Sequence, residues 1–136
     1  MFCDMRAAIA FLALLAASIA AAAPASTSPT ELRITAWPNG PSGAAKRWTL
    51  QCEPAGGTLP RAGQACASLA RMTAPLRPTP PGSVCTQIYG GPATAIVTGV
   101  FEDRRIWTRF SRRDGCEINR WNRHRFLFPV TLGSPE

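Results

Sequence analysis

The sequence is poor in the side chains that enzymes most often use for chemistry. Its 136 residues contain one histidine, His124, which lies between two arginines, and we expect it to be a surface residue rather than a general base. The adjacent acids Glu102 and Asp103 fall at a predicted turn, where acidic residues commonly stay solvated. The chain also lacks a glycine-rich phosphate loop and a nucleophile elbow. We therefore predict that the protein is not an enzyme and has no catalytic residues and no cofactor.

Closely spaced cysteine pairs are absent as well. Cys52, Cys66, Cys85 and Cys116 are separated by 14, 19 and 31 residues, whereas zinc sites usually contain C-x-x-C pairs. We therefore predict no metal site and two disulfides, for which four cysteines permit three pairings. The fifth cysteine, Cys3, falls within a predicted signal peptide.

A long apolar run occurs at the N terminus. Residues 7–23 are almost uniformly apolar, follow Arg6 and precede sequence rich in alanine and proline, which is typical of a secretory signal. A membrane anchor is the competing interpretation, but the run is short, consists largely of alanine and precedes no basic stop-transfer cluster. We predict a signal peptide over residues 1–25, cleaved between Ala22 and Ala25, a flexible leader over 26–30 and one domain over 31–136. The mature protein would be secreted and extracellular, without a membrane partner.

Acidic residues are scarce, with 8 against 15 lysines and arginines, which gives a net charge of +7. Eight arginines fall between Arg104 and Arg125, a density that would suit a nucleic-acid-binding surface. Four acids, Glu102, Asp103, Asp114 and Glu117, lie directly before or among them, which favours a solvated basic face and no nucleic-acid partner. Attraction to acidic partners is a secondary consequence of this charge.

Hydrophobic periodicity predicts an α+β fold. Strands are expected over residues 31–37, 48–52, 93–101, 105–110 and 125–130, with Pro129 indicating an edge position for the last. An amphipathic helix is expected from Thr58-Leu59-Pro60 to about Met72, and a short turn or helix over residues 117–122. The prolines between residues 75 and 81 exclude regular structure there.

The segment from Val84 to Pro92 is predicted to be an exposed loop that binds a partner. Cys85 can tether its upstream end, the following residues favour an extended backbone, and Gly90-Gly91-Pro92 ends it as a turn. These features suit a rigid peptide presented to a protease.

Several short segments together carry a resemblance to a known family. They are Trp48-Thr49-Leu50-Gln51-Cys52, Gly57-Thr58-Leu59-Pro60, Ala65-Cys66-Ala67-Ser68-Leu69, the Cys85 loop with Tyr89 and Pro92, Val97-Thr98-Gly99-Val100-Phe101, Arg105, and Asp114-Gly115-Cys116. In these segments, and in the order and approximate spacing of its cysteines, the chain resembles the Streptomyces subtilisin inhibitor family of secreted serine-protease inhibitors.

The resemblance implies the fold and the assembly. It implies a five-stranded antiparallel sheet with two helices, the disulfides Cys52–Cys66 and Cys85–Cys116, and a homodimer.

The resemblance also implies a site. The reactive bond would join Gln87 to Ile88, and Val84, Cys85, Thr86 and Tyr89 would lie with them in the protease cleft. Asp114 would support the loop from the position where family members commonly carry asparagine.

Gln87 indicates the class of target. Family members usually carry methionine, lysine or arginine at this position, and glutamine lacks the charge that a trypsin-like pocket binds. A subtilisin-like serine endopeptidase is therefore the expected partner. The alternative is a non-inhibitory member of the same scaffold that binds acidic cell-envelope polymers or another partner through its basic surface.

Overall fold

The structure, a computed structural model, describes residues 20–23 and 29–132. Most of the predicted signal peptide and part of the leader lie outside the described residues, so these boundaries stay predictions. Among the residues that are described, no helix is both long and apolar enough to cross a membrane.

A four-stranded antiparallel sheet forms the body of the domain. The strands are β1 (Thr30–Trp37), β2 (Lys46–Cys52), β3 (Thr94–Phe101) and β4 (Arg104–Phe110), in the spatial order β2-β1-β3-β4. In β1, Leu32, Ile34 and Ala36 are buried and the residues between them are more exposed, which is the expected period of two. Gly99 in β3 has φ +133, and a Cβ there would overlap the Glu31 carbonyl oxygen, so only glycine fits this close strand contact.

The prediction of a fifth strand over residues 125–130 is wrong. Residues 125–127 form a short 3-10 helix that follows α2 (Gly115–Arg123), and residues 128–130 have no regular structure. Leu127 and Phe128 are both buried, although neighbouring residues of a strand point to opposite faces. Phe128 packs its ring edge-on against Phe110 with the centroids 4.9 Å apart, so the segment closes the core instead of extending the sheet.

The predicted first helix begins later than expected. Helix α1 is Ala62–Arg71, with buried Ala65 and Leu69 facing the core. Thr58 does not cap it, because Thr58 exchanges two hydrogen bonds with Thr49 of β2, at 2.9 and 3.1 Å. The Cys52–Cys66 disulfide then ties the end of β2 to this helix. The α+β class, the two helices and the two disulfides thus agree with the expectation, and the strand count is corrected to four.

Candidate functional site

The predicted loop is an exposed segment without helix or strand. Val84 is 100% exposed, and Ile88 and Tyr89 are 59% and 60% exposed, which is unusual for large apolar side chains. Gln87 is exposed as well, and its side-chain amide donates to the Cys85 carbonyl oxygen at 3.3 Å. The loop therefore offers apolar side chains on both sides of Gln87 without burying them in its own domain.

The upstream half of the loop is fastened to the start of α2. Cys85 forms a disulfide with Cys116, whose Cα atom lies 5.3 Å from that of Cys85. The Gly115 N–H donates to the Thr86 carbonyl oxygen at 2.9 Å. A Cβ atom on Gly115 would overlap the Thr86 hydroxyl, so the absence of a side chain allows this contact. One covalent and one hydrogen-bonded tether thus lie directly before Gln87.

The downstream half is fastened to residue 112, which follows β4. The Gly90 N–H donates to the Arg112 carbonyl oxygen at 2.7 Å, and the Arg112 Nε donates to the Gly90 carbonyl oxygen at 2.8 Å. A Cβ on Gly90 would lie 2.9 Å from the Cδ1 atom of Ile118, so this glycine packs against α2. The glycine pair therefore ends the loop at an anchored residue.

Asp114 lies beside the loop as the N-cap of α2. Its Oδ1 accepts a hydrogen bond from the Glu117 N–H at 3.0 Å, and its Oδ2 lies 3.4 Å from the exposed Arg113 Nε. A capping carboxylate satisfies an otherwise unpaired helix N–H and interacts favourably with the helix dipole. Asp114 thus holds the helix end from which Gly115 and Cys116 reach the loop.

Asp114 also lies close to the Cys85 and Cys116 sulfurs, with all three potential ligand atoms within 4.8 Å of one another. The two sulfurs form a disulfide with each other, so neither is a thiolate that could bind a metal. The grouping therefore reflects the tethering of the loop to the capped helix end.

His124 is buried, contrary to the surface position expected from its arginine neighbours. It is 3% exposed, its Nδ1 lies 2.8 Å from the Arg120 carbonyl oxygen, and its Nε2 accepts from the Leu76 N–H at 3.2 Å. Because a carbonyl only accepts, the imidazole carries its proton on Nδ1. Burial lowers the pKa of His124 to about 4, opposed by the hydrogen bond to Arg120 and aided by the charges of Arg120 and Arg123. The ring is neutral and enclosed, which suits structural hydrogen bonding.

Sequence reasoning also missed two buried charged residues on α2. Glu117 and Arg120 are 8% and 2% exposed, and together with Trp121 and His124 they follow the spacing of one helix face. That spacing was visible in the sequence. Glu117 and Arg120 each bond a residue that lies 38 or 43 positions upstream, in a proline-rich segment whose position the sequence pattern does not reveal.

Fold and loop together define a class of protein: a small disulfide-bonded α+β domain that holds an exposed loop at both ends. The comparisons with known proteins give the particular family. Residues 28–112 match the model of the subtilisin inhibitor-like family, and the chain belongs to that family.

Comparisons with single proteins add less. A match among solved structures is the crystal structure of Streptomyces caespitosus sermetstatin in complex with Bacillus licheniformis subtilisin, with 23% sequence identity and a TM-score of 0.49. The alignment covers 75% of this chain and 99% of the other. A search of curated protein sequences found no match.

Proposed function

We propose that this protein is a secreted inhibitor of subtilisin-like serine proteases and that Gln87–Ile88 is its reactive bond. The observation that carries the proposal is the pair of anchors around this bond. The Cys85–Cys116 disulfide and the Thr86 carbonyl hold one side, and Gly90 is hydrogen-bonded on the other. Membership of the subtilisin inhibitor-like family supports the same function.

The exposed loop suits binding in a protease cleft. An extended backbone can pair with the edge of the cleft, so main-chain hydrogen bonds supply much of the affinity. Gln87 would enter the primary pocket, and the exposed Val84 and Tyr89 would occupy neighbouring pockets. Since the loop is tethered before it binds, little conformational entropy is lost on binding. An interface of about 1,600 Å², usual for protease–inhibitor pairs, can then be very tight.

A titration of purified mature protein against subtilisin and trypsin tests this function. We expect stoichiometric inhibition of subtilisin, weak inhibition of trypsin, and little dependence on salt. Gln87→Lys should add trypsin inhibition because it supplies the charge that the trypsin pocket binds, whereas Ser42→Lys, which adds the same charge at another exposed position, should not. Ile88→Pro should abolish inhibition.

The competing function predicts different results in the same assays. Binding to acidic cell-envelope polymers would survive Ile88→Pro and weaken as salt rises, because salt screens exposed charges. Failure of the disulfide-bonded protein to inhibit either protease would refute the inhibitor proposal.

We also propose that the protein forms a homodimer through the open face of its sheet. Trp107 is 69% exposed on β4, it pairs with Thr98 of β3, and the half-buried Ile96 and Val100 share the same face. Sedimentation equilibrium should detect a dimer that Trp107→Lys converts to a monomer, with subtilisin inhibition retained. A wild-type monomer at every concentration would refute this assembly.

A further inference from the structure

The chain reaches the loop through a proline-rich stretch, residues 76–83, called here the approach segment. Pro78, Pro80 and Pro81 have no backbone N–H to donate, and the segment has no helix or strand. Within the described residues, its one backbone–backbone hydrogen bond outside helices and strands is internal, from the Ser83 N–H to the Pro80 carbonyl oxygen at 3.3 Å. Apart from the buried Leu76 side chain at its start, the segment is therefore held mainly by side chains from elsewhere.

Three side chains of α2 and its C-cap supply these contacts, and we call His124, Arg120 and Glu117 the polar ladder. The His124 Nε2 accepts from the Leu76 N–H at 3.2 Å. The Arg120 Nε donates to the Arg77 carbonyl oxygen at 2.8 Å. Glu117 Oε1 accepts from the Thr79 hydroxyl at 2.5 Å. Successive helical turns thus contact successive residues of the approach segment.

Arg120 is the central member of the polar ladder and also reaches the sheet. Its Nη1 donates to the Arg109 carbonyl oxygen at 2.6 Å, its Nη2 donates to the Thr108 hydroxyl, and its guanidinium lies 3.8 Å from the centre of the Phe110 ring. Glu117 Oε2 lies 3.5 Å from the Arg120 Nη1 and compensates part of the charge. Burying a guanidinium costs desolvation energy that an apolar residue would not incur. An arginine here is better explained by the position it imposes on β4 and the approach segment than by stability alone.

The same helix continues to the loop itself. Beyond Glu117, Cys116 is bonded to Cys85, and the Gly115 N–H contacts the Thr86 carbonyl oxygen. From His124 back to Gly115, α2 and its C-cap therefore contact residues 76, 77, 79, 85 and 86 in order. The chain before Gln87 is therefore held on α2 at residues 76–79 and again at residues 85 and 86, with the exposed residues 80–84 between them. A shift of the approach segment would reach the loop through this short connection.

We propose that the polar ladder positions the upstream half of the reactive loop and thereby slows the net cleavage of Gln87–Ile88 while a protease is bound. This inference rests on the proposed function. Hydrolysis of that bond consumes one water and yields a Gln87 carboxylate and an Ile88 ammonium group. Resynthesis re-forms the bond and releases the water, and it requires both new ends to stay in place. His124, Arg120 and Glu117 touch no reacting atom, so they are positioning residues.

Two variants remove parts of the polar ladder. Arg120→Met keeps a long side chain and removes its hydrogen bonds, whereas Thr79→Val removes one member's contact without changing the helix. The matched control is Leu69→Ala, which destabilises the core from α1, whereas the ladder residues lie on α2 and its C-cap. Arg120→Lys serves as the conservative variant, because it keeps the charge and one donor group.

The readouts are the inhibition constant for subtilisin and the rate at which bound inhibitor is cut at Gln87–Ile88, measured by mass spectrometry far from unfolding conditions. We expect Arg120→Met to be cut about tenfold faster or more, which corresponds to losing a charge-assisted hydrogen bond. Thr79→Val should be cut a few-fold faster, Arg120→Lys should fall between wild type and Arg120→Met, and Leu69→Ala should match wild type. Cleavage of both ladder variants no faster than that of Leu69→Ala would overturn the inference.

Hydrogen exchange of the free protein separates this inference from the proposed function. The Leu76 and Gly115 amides should exchange faster in Arg120→Met than in Leu69→Ala, whether or not the wild type inhibits subtilisin. If the two variants differ in this way and the wild type fails to inhibit subtilisin, the function is refuted and the positioning stands. Unchanged exchange at both amides would refute the positioning.

Discussion

His124 should make the stability of the domain fall as the solution becomes more acidic. The imidazole is 3% exposed, accepts the Leu76 N–H on Nε2 and has no room for a second proton without losing that bond. Burial lowers its pKa from 6.5 to about 4, and the charges of Arg120 and Arg123 act in the same direction. The hydrogen bond to the Arg120 carbonyl opposes this shift without cancelling it.

The direction and size of the effect follow from proton linkage. Between pH 6.5 and about 4 the unfolded chain binds a proton at His124 that the folded protein does not bind, so acid favours unfolding. The stability is fully present above about pH 6.5 and is lost as the pH falls through about 4. At about 1.4 kcal/mol per pH unit, the loss amounts to roughly 3 kcal/mol.

Urea unfolding between pH 7.5 and 3.5 measures this loss when the wild type is compared with His124→Gln. Glutamine can accept the Leu76 N–H but does not titrate, so the variant subtracts the contribution of the carboxylates. We expect the stability advantage of the wild type over the variant to shrink by roughly 3 kcal/mol on acidification. Parallel curves would refute the reasoning, as would an NMR titration of the chain's single histidine with a midpoint near 6.5.

Two further predictions concern the loop anchors. Gly115→Ala should weaken subtilisin inhibition about tenfold or more, because the new methyl group would displace Thr86. The control is Gly63→Ala, in open space within α1, which should stabilise the protein by about 0.5–1 kcal/mol and leave inhibition unchanged. Equal inhibition by both variants would contradict the close contact between Gly115 and Thr86. Replacing Cys85 and Cys116 by serine should lower the free energy of unfolding by about 4 kcal/mol, the chain-entropy value for a 31-residue loop, and speed cleavage at Gln87. Denaturant unfolding and timed proteolysis measure the two effects, and cleavage at the wild-type rate would show that the hydrogen bonds alone hold the loop.

Local periodicity predicted most of the sheet. The alternation in residues 31–37 and 105–110 identified two strands within one residue of their observed starts, because each has one face on the core and one facing away. The same reasoning failed at residues 125–130. The chain turns away from the sheet there, so that Leu127 and Phe128 are both buried and Phe128 packs against Phe110 and Trp121. A short apolar run does not reveal such a turn.

The exposed half of the site was also open to prediction, since Cys85 followed by an uncharged stretch and a glycine pair indicates a tethered loop. The buried half was not. The arginines beside His124 suggested a surface position, and the group that His124 bonds, the Leu76 N–H, is 48 residues away in the chain. Helical spacing alone would have placed Glu117, Arg120 and His124 on one face, but it does not reveal that a proline-rich segment covers that face.

The prolines of the approach segment and the buried charges of α2 both help to hold the chain that leads to the loop. A loop that must resist a protease benefits from a stiff approach, and prolines stiffen a chain while removing the donors that would fasten it. The segment therefore accepts hydrogen bonds through the Arg77 carbonyl and donates through the Leu76 N–H and the Thr79 hydroxyl. Only polar side chains can complete these bonds inside a core, which explains why α2 carries charged residues on its buried face as well as the cysteine that tethers the loop.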